Sequence, residues 1–173
     1  MDVEAEVHVT GTGDPGFEDC FRAQFPVVAR TAALVVGDFG VGEEIAQEAF
    51  ARLFVRWQRV ESPEHARNFV FKVAMNLARS HLRRRQRRVF QDSPGADEAP
   101  DHSGGTDSRL AIREALAGLS PRQRASVALV DYVGLDAETA SRLLGLRAST
   151  VRVHLARGRR ALGERLDPED LRR

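Results

Sequence analysis

The sequence predicts an all-α protein of two small helical domains joined by a flexible linker, and three observations lead there. Apolar residues recur at helical spacing in most segments, and no stretch reads as a strong strand. The stretch "QDSPGADEAPDHSGGTD" (91–107) has the Pro, Gly, Ser and acid content of a linker. Charge is segregated along the 173 residues although the net charge is only +1. Residues 1–64 hold 12 acids and 5 arginines, and residues 65–88 hold seven arginines, Lys72 and no acid. Residues 89–118 hold 6 acids and 2 arginines, and residues 119–173 hold 11 arginines and 7 acids. Two basic blocks separated by acidic ones predict two anion-contacting surfaces.

The chain begins with an acidic, polar tail, 1–16, that lacks the basic start and apolar middle of a signal peptide. The first domain is expected over 17–90. Its first helix puts Phe17, Phe21, Phe25, Val28 and Ala32 on one stripe, with Pro26 as a point of kinking or restart. "DFGVG" (38–42) reads as a break. The next helix aligns Ile45, Ala49, Phe50, Leu53, Phe54 and Trp57 over an outer face of Glu44, Gln47, Glu48 and Arg52. Ser62-Pro63-Glu64 opens a third helix: an N-cap serine, a proline in the first turn, and an acid at the positive end. Phe69, Val73 and Leu77 form its stripe, with Val70, Ala74 and Leu82 beside it.

After the linker, which spans 55–60 Å at about 3.3–3.6 Å per residue when fully extended, a second domain is expected over 108–166 and a tail over 167–173. It reads as four short helices. Ser120-Pro121 starts the second, Asp136 caps the third, and Gly145 ends the third in a left-handed turn. Ala140, Leu143, Leu144, Leu146, Val151, Leu155 and Leu162 supply the packing of the last helix pair.

That pair fits a helix-turn-helix, in which the outer face of the second helix enters the major groove. Ser149, Thr150, Arg152, Val153, His154 and Arg157 lie toward this outside. The hydroxyls at the helix start suit phosphate, and Arg152 suits phosphate or a guanine edge. In the first domain, Lys72, Asn76, Arg79 and Arg83 follow one another at helical spacing, and aromatics are interleaved. Cations along the backbone with flat rings for unpaired bases suit single-stranded nucleic acid. The blander reading makes both surfaces solvated charge and most of the aromatic area core. One cysteine, Cys20, excludes an internal disulfide and a multi-cysteine zinc site. Five histidines are scattered, with no metal or nucleophile constellation, so neither an enzyme nor a cofactor is expected. No run of about 18 apolar residues spans a membrane, and a cytoplasmic protein is expected.

Together these segments resemble bacterial sigma factors of the small extracytoplasmic-function group. "GEEIAQEAFARLFVRW" is similar to the region 2 helix that binds polymerase. "ARNFVFKVAMNLARSHLRRR" is similar to the helix that melts and reads the minus-ten element. "LSPRQRASVALVDYVGLDAETASRLLGLRASTVRVHLARGRRAL" is similar to region 4, which reads the minus-thirty-five element. The resemblance implies a non-catalytic factor that binds core RNA polymerase and promoter DNA, duplex and melted, with an anti-sigma factor as a further partner. It puts Glu44, Gln47, Glu48 and Phe50 against polymerase. It puts Lys72, Asn76, Arg79, Ser80, Arg83 and Arg84 at the minus-ten region, and the outer residues from Ser149 to Arg157 on the recognition helix. The chain departs from the family's pattern at Ser80, often an aspartate there, at Ser141, often an alanine, and at Arg147, often a small cap. Rival readings are a helix-turn-helix transcription regulator that binds duplex DNA as a dimer, and a sigma mimic that titrates a regulator.

Overall fold

The computed structural model describes residues 15–91 and 107–166, and the described residues contain seven α-helices and no strand. Residues 1–14 of the expected first tail, the expected last tail and nearly all of the expected linker lie outside these residues, and α1 begins two residues inside that first tail, at Pro15. The first lobe comprises α1 (Pro15–Val36), α2 (Phe39–Val55), a 3₁₀ turn (Trp57–Arg59) and α3 (Pro63–Gln91). The second comprises α4 (Asp107–Ala117), α5 (Pro121–Val127) running into a π turn (Ala128–Tyr132), α6 (Ala137–Leu144) and α7 (Ala148–Gly163).

In the first lobe α1 and α2 form a hairpin. Gly37, at φ 83°, takes the left-handed turn, and Asp38 caps α2 by accepting from the Val41 amide at 2.9 Å. The break expected over 38–42 is therefore confined to Gly37 and Asp38. Gly40 and Gly42 lie inside α2, because the hairpin crosses so closely at Gly42 that a Cβ would stand 2.7 Å from Ala29 O and from Ala33 N and Cβ. Helix α1 also runs through Pro26 without interruption.

Ile45, Ala46, Ala49, Phe50 and Leu53 bury one face of α2, while Phe54, expected inside, is 56% exposed and rests edge-on against Phe17. Helix α3 starts where its cap predicts, with Ser62 Oγ accepting from the His65 amide at 3.1 Å. Its buried stripe is Ala66, Val70, Phe71, Ala74, Met75 and Ala78, whereas Phe69, Val73 and Leu77 are half-buried. The inner face is turned from the expected one because small residues there let α3 lie close on α1 and α2.

The second lobe follows its punctuation. Ser120 and Gln123 form a reciprocal capping box, Asp136 accepts from the Thr139 amide at 2.9 Å, and Gly145 ends α6 at φ 63°. Gly158 lets α7 approach α5; a Cβ there would stand 2.8 Å from Val127 Cγ2.

The two lobes dock on one another: α1 packs on α5 and the π turn, and α3 packs on α6. One apolar core runs through both, from Val28, Phe50 and Phe71 to Leu129, Leu143 and Val151. Arg67 Nη2 donates across the junction to Val133 O at 3.3 Å, and Arg79 Nη2 donates to Leu144 O, one of the carbonyls in the last turn of α6.

Candidate nucleic-acid interface

Helix α7 begins at Ala148 with Arg147 as a cap residue that makes no side-chain cap bond. Val151, Leu155 and Gly158 face the core of the lobe. Ser149, Arg152, Val153 and Arg157 are exposed and Thr150 and His154 half-buried, so every residue expected at the groove reaches the surface on or beside one face.

Two arginines of this helix are held by carboxylates of other elements. Arg152 Nη2 donates to Glu138 Oε1 on α6 at 2.8 Å. Arg159 donates through Nε and Nη2 to both carboxylate oxygens of Asp131, at 3.1 and 2.5 Å. Asp131 lies in the π turn, which the Val133 amide closes on Ala128 O at 3.0 Å. That fork-to-fork bond raises the Arg159 pKa further above its ordinary value. Burial, and then Arg122 and Arg157, lower the pKa of His154, which favours the neutral ring, able to donate and to accept.

On α3, Lys72, Asn76, Arg83 and Arg84 are exposed along the helix, and Ser80 is half-buried with its Oγ accepting from Arg83 Nη2 at 3.2 Å. Arg79 belongs to the same face but is turned to the second lobe. Burial and the neighbouring Arg84 and Arg85 lower the pKa of His81, against the smaller opposing pull of Asp38 and Glu44.

A feature the sequence reading missed lies where α2 ends against α3. Arg52, Val55, Arg56, Phe69 and Val73 line a hollow of about 310 Å³, and the Arg56 guanidinium sits 5.7 Å from the Phe69 ring centre. Its parts include two arginines at the end of one helix and one aromatic on another, separated in sequence, so no single stretch announces it.

On α2, Glu44, Gln47 and Glu48 are exposed, with Glu48 paired to Arg52 at 2.7 Å. Phe50 is different. It is 2% exposed and packs against Phe17, Phe21 and Phe25. The ring stabilises the lobe from within, so the expectation that it meets polymerase is corrected to a core role. Among the described residues no group of three His, Cys, Asp or Glu side chains could hold a metal ion, and no helix is long and apolar enough to cross a membrane.

These two lobes match two family models in order: "Sigma-70 region 2" over residues 20–88 and "Sigma-70, region 4" over residues 109–162. The chain belongs to the sigma-70 family. Within it, the chain is an extracytoplasmic-function sigma factor, and such a factor directs RNA polymerase to promoters. It is similar to the RNA polymerase sigma-E factor of Streptomyces coelicolor, at 28% identity over 90% of this chain and 88% of the relative. It is also similar to the ECF RNA polymerase sigma factor SigE of Mycolicibacterium smegmatis, at 31% identity over 90% of this chain and 65% of the relative. Two solved structures share the fold. One is the sigma factor RpoE in complex with the anti-sigma factor NepR from Bartonella quintana, with TM-score 0.69 and 21% identity over 86% of this chain and 95% of that one. The other is CnrH in complex with the cytosolic domain of CnrY, with TM-score 0.63 and 17% identity over 88% of each chain.

Proposed function

We propose that this sigma factor divides promoter reading between the outer face of α7, on the upstream duplex element, and the exposed face of α3, on the melted downstream element. The observation that carries it is the helix-turn-helix itself: a left-handed Gly145 turn, α7 packed by one face only, and a basic outer face. On α3, Lys72, Asn76, Arg83 and Arg84 follow the unpaired strand, and Asn76 offers both a donor and an acceptor to a base edge. The hollow beside Phe69 takes an extruded base, with Arg56 and the ring as its walls. Extrusion costs a few kcal/mol per base, which capture offsets. Glu44, Gln47 and Glu48 on α2 meet core polymerase. The factor is non-catalytic and works in the cytoplasm, where an anti-sigma protein is its further partner, as in the Bartonella quintana structure.

Arg79 grips the end of α6 only four residues before α7 begins. The two DNA-reading faces are therefore neighbours in the docked molecule. Elements centred at minus ten and minus thirty-five lie about 25 base pairs apart, about 85 Å at ~3.4 Å per pair. The lobes must part for both elements to be held at once; the extended linker covers about 55–60 Å of that distance and the lobes themselves the remainder. In vitro transcription with bacterial core polymerase on a pool of promoters tests the function. Initiation confined to a subset of templates is expected; core binding without initiation on any template would favour the mimic instead.

A further inference from the structure

We propose that Val153 reads the C5-methyl group of a thymine in the upstream promoter element, an inference that rests on α7 being the helix that enters the major groove. At 100° per residue, the buried residues Val151, Leu155 and Gly158 define the inner side of α7, and Val153 lies almost opposite them. Ser149, Arg157 and Arg160 fall within about 40° of it, one or two turns away. Arg152 and Arg159 lie about 100–120° round on one flank, and both are held there by carboxylates, Glu138 on α6 and Asp131 on the π turn. Arg160 is turned along the helix toward Glu164, at 2.9 Å. The middle of the outer face is thus left to a short apolar side chain, 48% exposed, between a hydroxyl and Arg157.

A lone exposed valine is ordinary on a protein surface; its place in the middle of a basic face is what gives it meaning. Cations on both sides draw in the two phosphate backbones, and the residue between them faces base edges. The edges in the major groove are donors and acceptors except for one apolar group, the thymine methyl. A polar edge set against Val153 would lose its water and gain no bond. The side chain is also stiff: a β-branched residue in a helix keeps one dominant rotamer, so its methyls are already placed before DNA arrives.

The test starts from the holoenzyme formed with bacterial core polymerase, which selects an upstream element from a randomised duplex pool. Each thymine of the selected duplex is then replaced by uracil, which removes the methyl group and nothing else. Exactly one position is expected to lose affinity, by about fourfold for one methyl group. With Val153→Ala the same replacement should have no effect, and with Val153→Ser selection at that base pair should relax while other positions hold. Thermal melting of the variants should match the parent, since the side chain is outside the core. The inference is overturned if the selected element contains no thymine, if uracil is tolerated at every position, or if the methyl effect survives in Val153→Ala. If the pool is selected at no position at all, the reading of α7 as a groove helix fails as well, which separates the two failures.

Discussion

Replacing Gly42 by alanine sets two effects of opposite sign against each other. Inside an exposed helix the change would stabilise by about 1 kcal/mol, since glycine loses more backbone freedom than alanine. Here the added Cβ would stand 2.7 Å from Ala29 O, Ala33 N and Ala33 Cβ. Two of these are backbone atoms of α1 that no rotamer change can move. Ordinary contact begins near 3.4 Å, so the crossing must open by roughly 0.7 Å, against a core that includes Val28, Ala32 and Phe50. Overpacking of this kind costs about 1–3 kcal/mol, and with three close contacts the upper part of that range applies. The net loss is about 1–2 kcal/mol, or a fall in the melting midpoint of about 2–8 °C at 2–4 °C per kcal/mol for a chain of this size. Gly40→Ala is the control: its Cβ would meet only Asp38 Oδ1, at 3.5 Å, and its midpoint should stay or rise. Thermal melts followed by circular dichroism compare the two. A Gly42→Ala variant that melts at or above the parent temperature would refute the close-crossing argument.

Glu138→Gln releases Arg152 and removes a negative charge beside the groove helix; affinity for a scrambled duplex, read by fluorescence anisotropy at fixed salt, should rise two- to threefold, about 0.5 kcal/mol in the range of an exposed pair. Unchanged affinity would show that the carboxylate does not restrain the helix. Arg79→Ala removes the bond to Leu144 O across the junction and should raise the radius of gyration of the free protein in small-angle scattering, because a docked pair of lobes is held by fewer polar ties; an unaltered profile would contradict this. His81 and His154 both have folded pKa values below their ordinary one, so the unfolded chain binds more protons as pH falls. Their contribution is full above the ordinary histidine value and is lost as pH drops through the folded values. Melting midpoints should therefore fall between pH 7.5 and 5.5, and fall less in the His81→Gln, His154→Gln double variant.

Local chemistry was legible from the sequence. Ser62, Ser120, Asp136 and Gly145 each mark a helix end through a bond to the nearest turn, and each is where the structure needs it. What depends on a distant neighbour was not legible. Gly40 and Gly42 read as a break because the residues that crowd Gly42, Ala33 and Ala29, stand nine and thirteen positions back on a separate element. Phe50 already stood on the inner stripe of its helix by periodicity; the resemblance moved it to a partner surface, and burial returns it to the core. The π turn has no sequence signature, yet it puts Asp131 in reach of Arg159. The linker composition gives reach between lobes and says nothing of their docking, which depends on the fit of two complete surfaces.

The junction between the lobes encloses two guanidinium nitrogens, Arg67 Nε and Arg124 Nε, that have no acceptor among the described residues. Arg124 packs at the Gly37 turn of the other lobe, and burial, then the nearby Arg85, lower its pKa. A buried donor left unpaired costs about 1–3 kcal/mol, and parting the lobes returns both nitrogens to water. The closed molecule therefore carries tension along with its apolar contact, like a clasp fastened against a light spring. If the lobes part on the promoter as proposed, the return of these two nitrogens to water offsets part of the apolar contact that parting gives up.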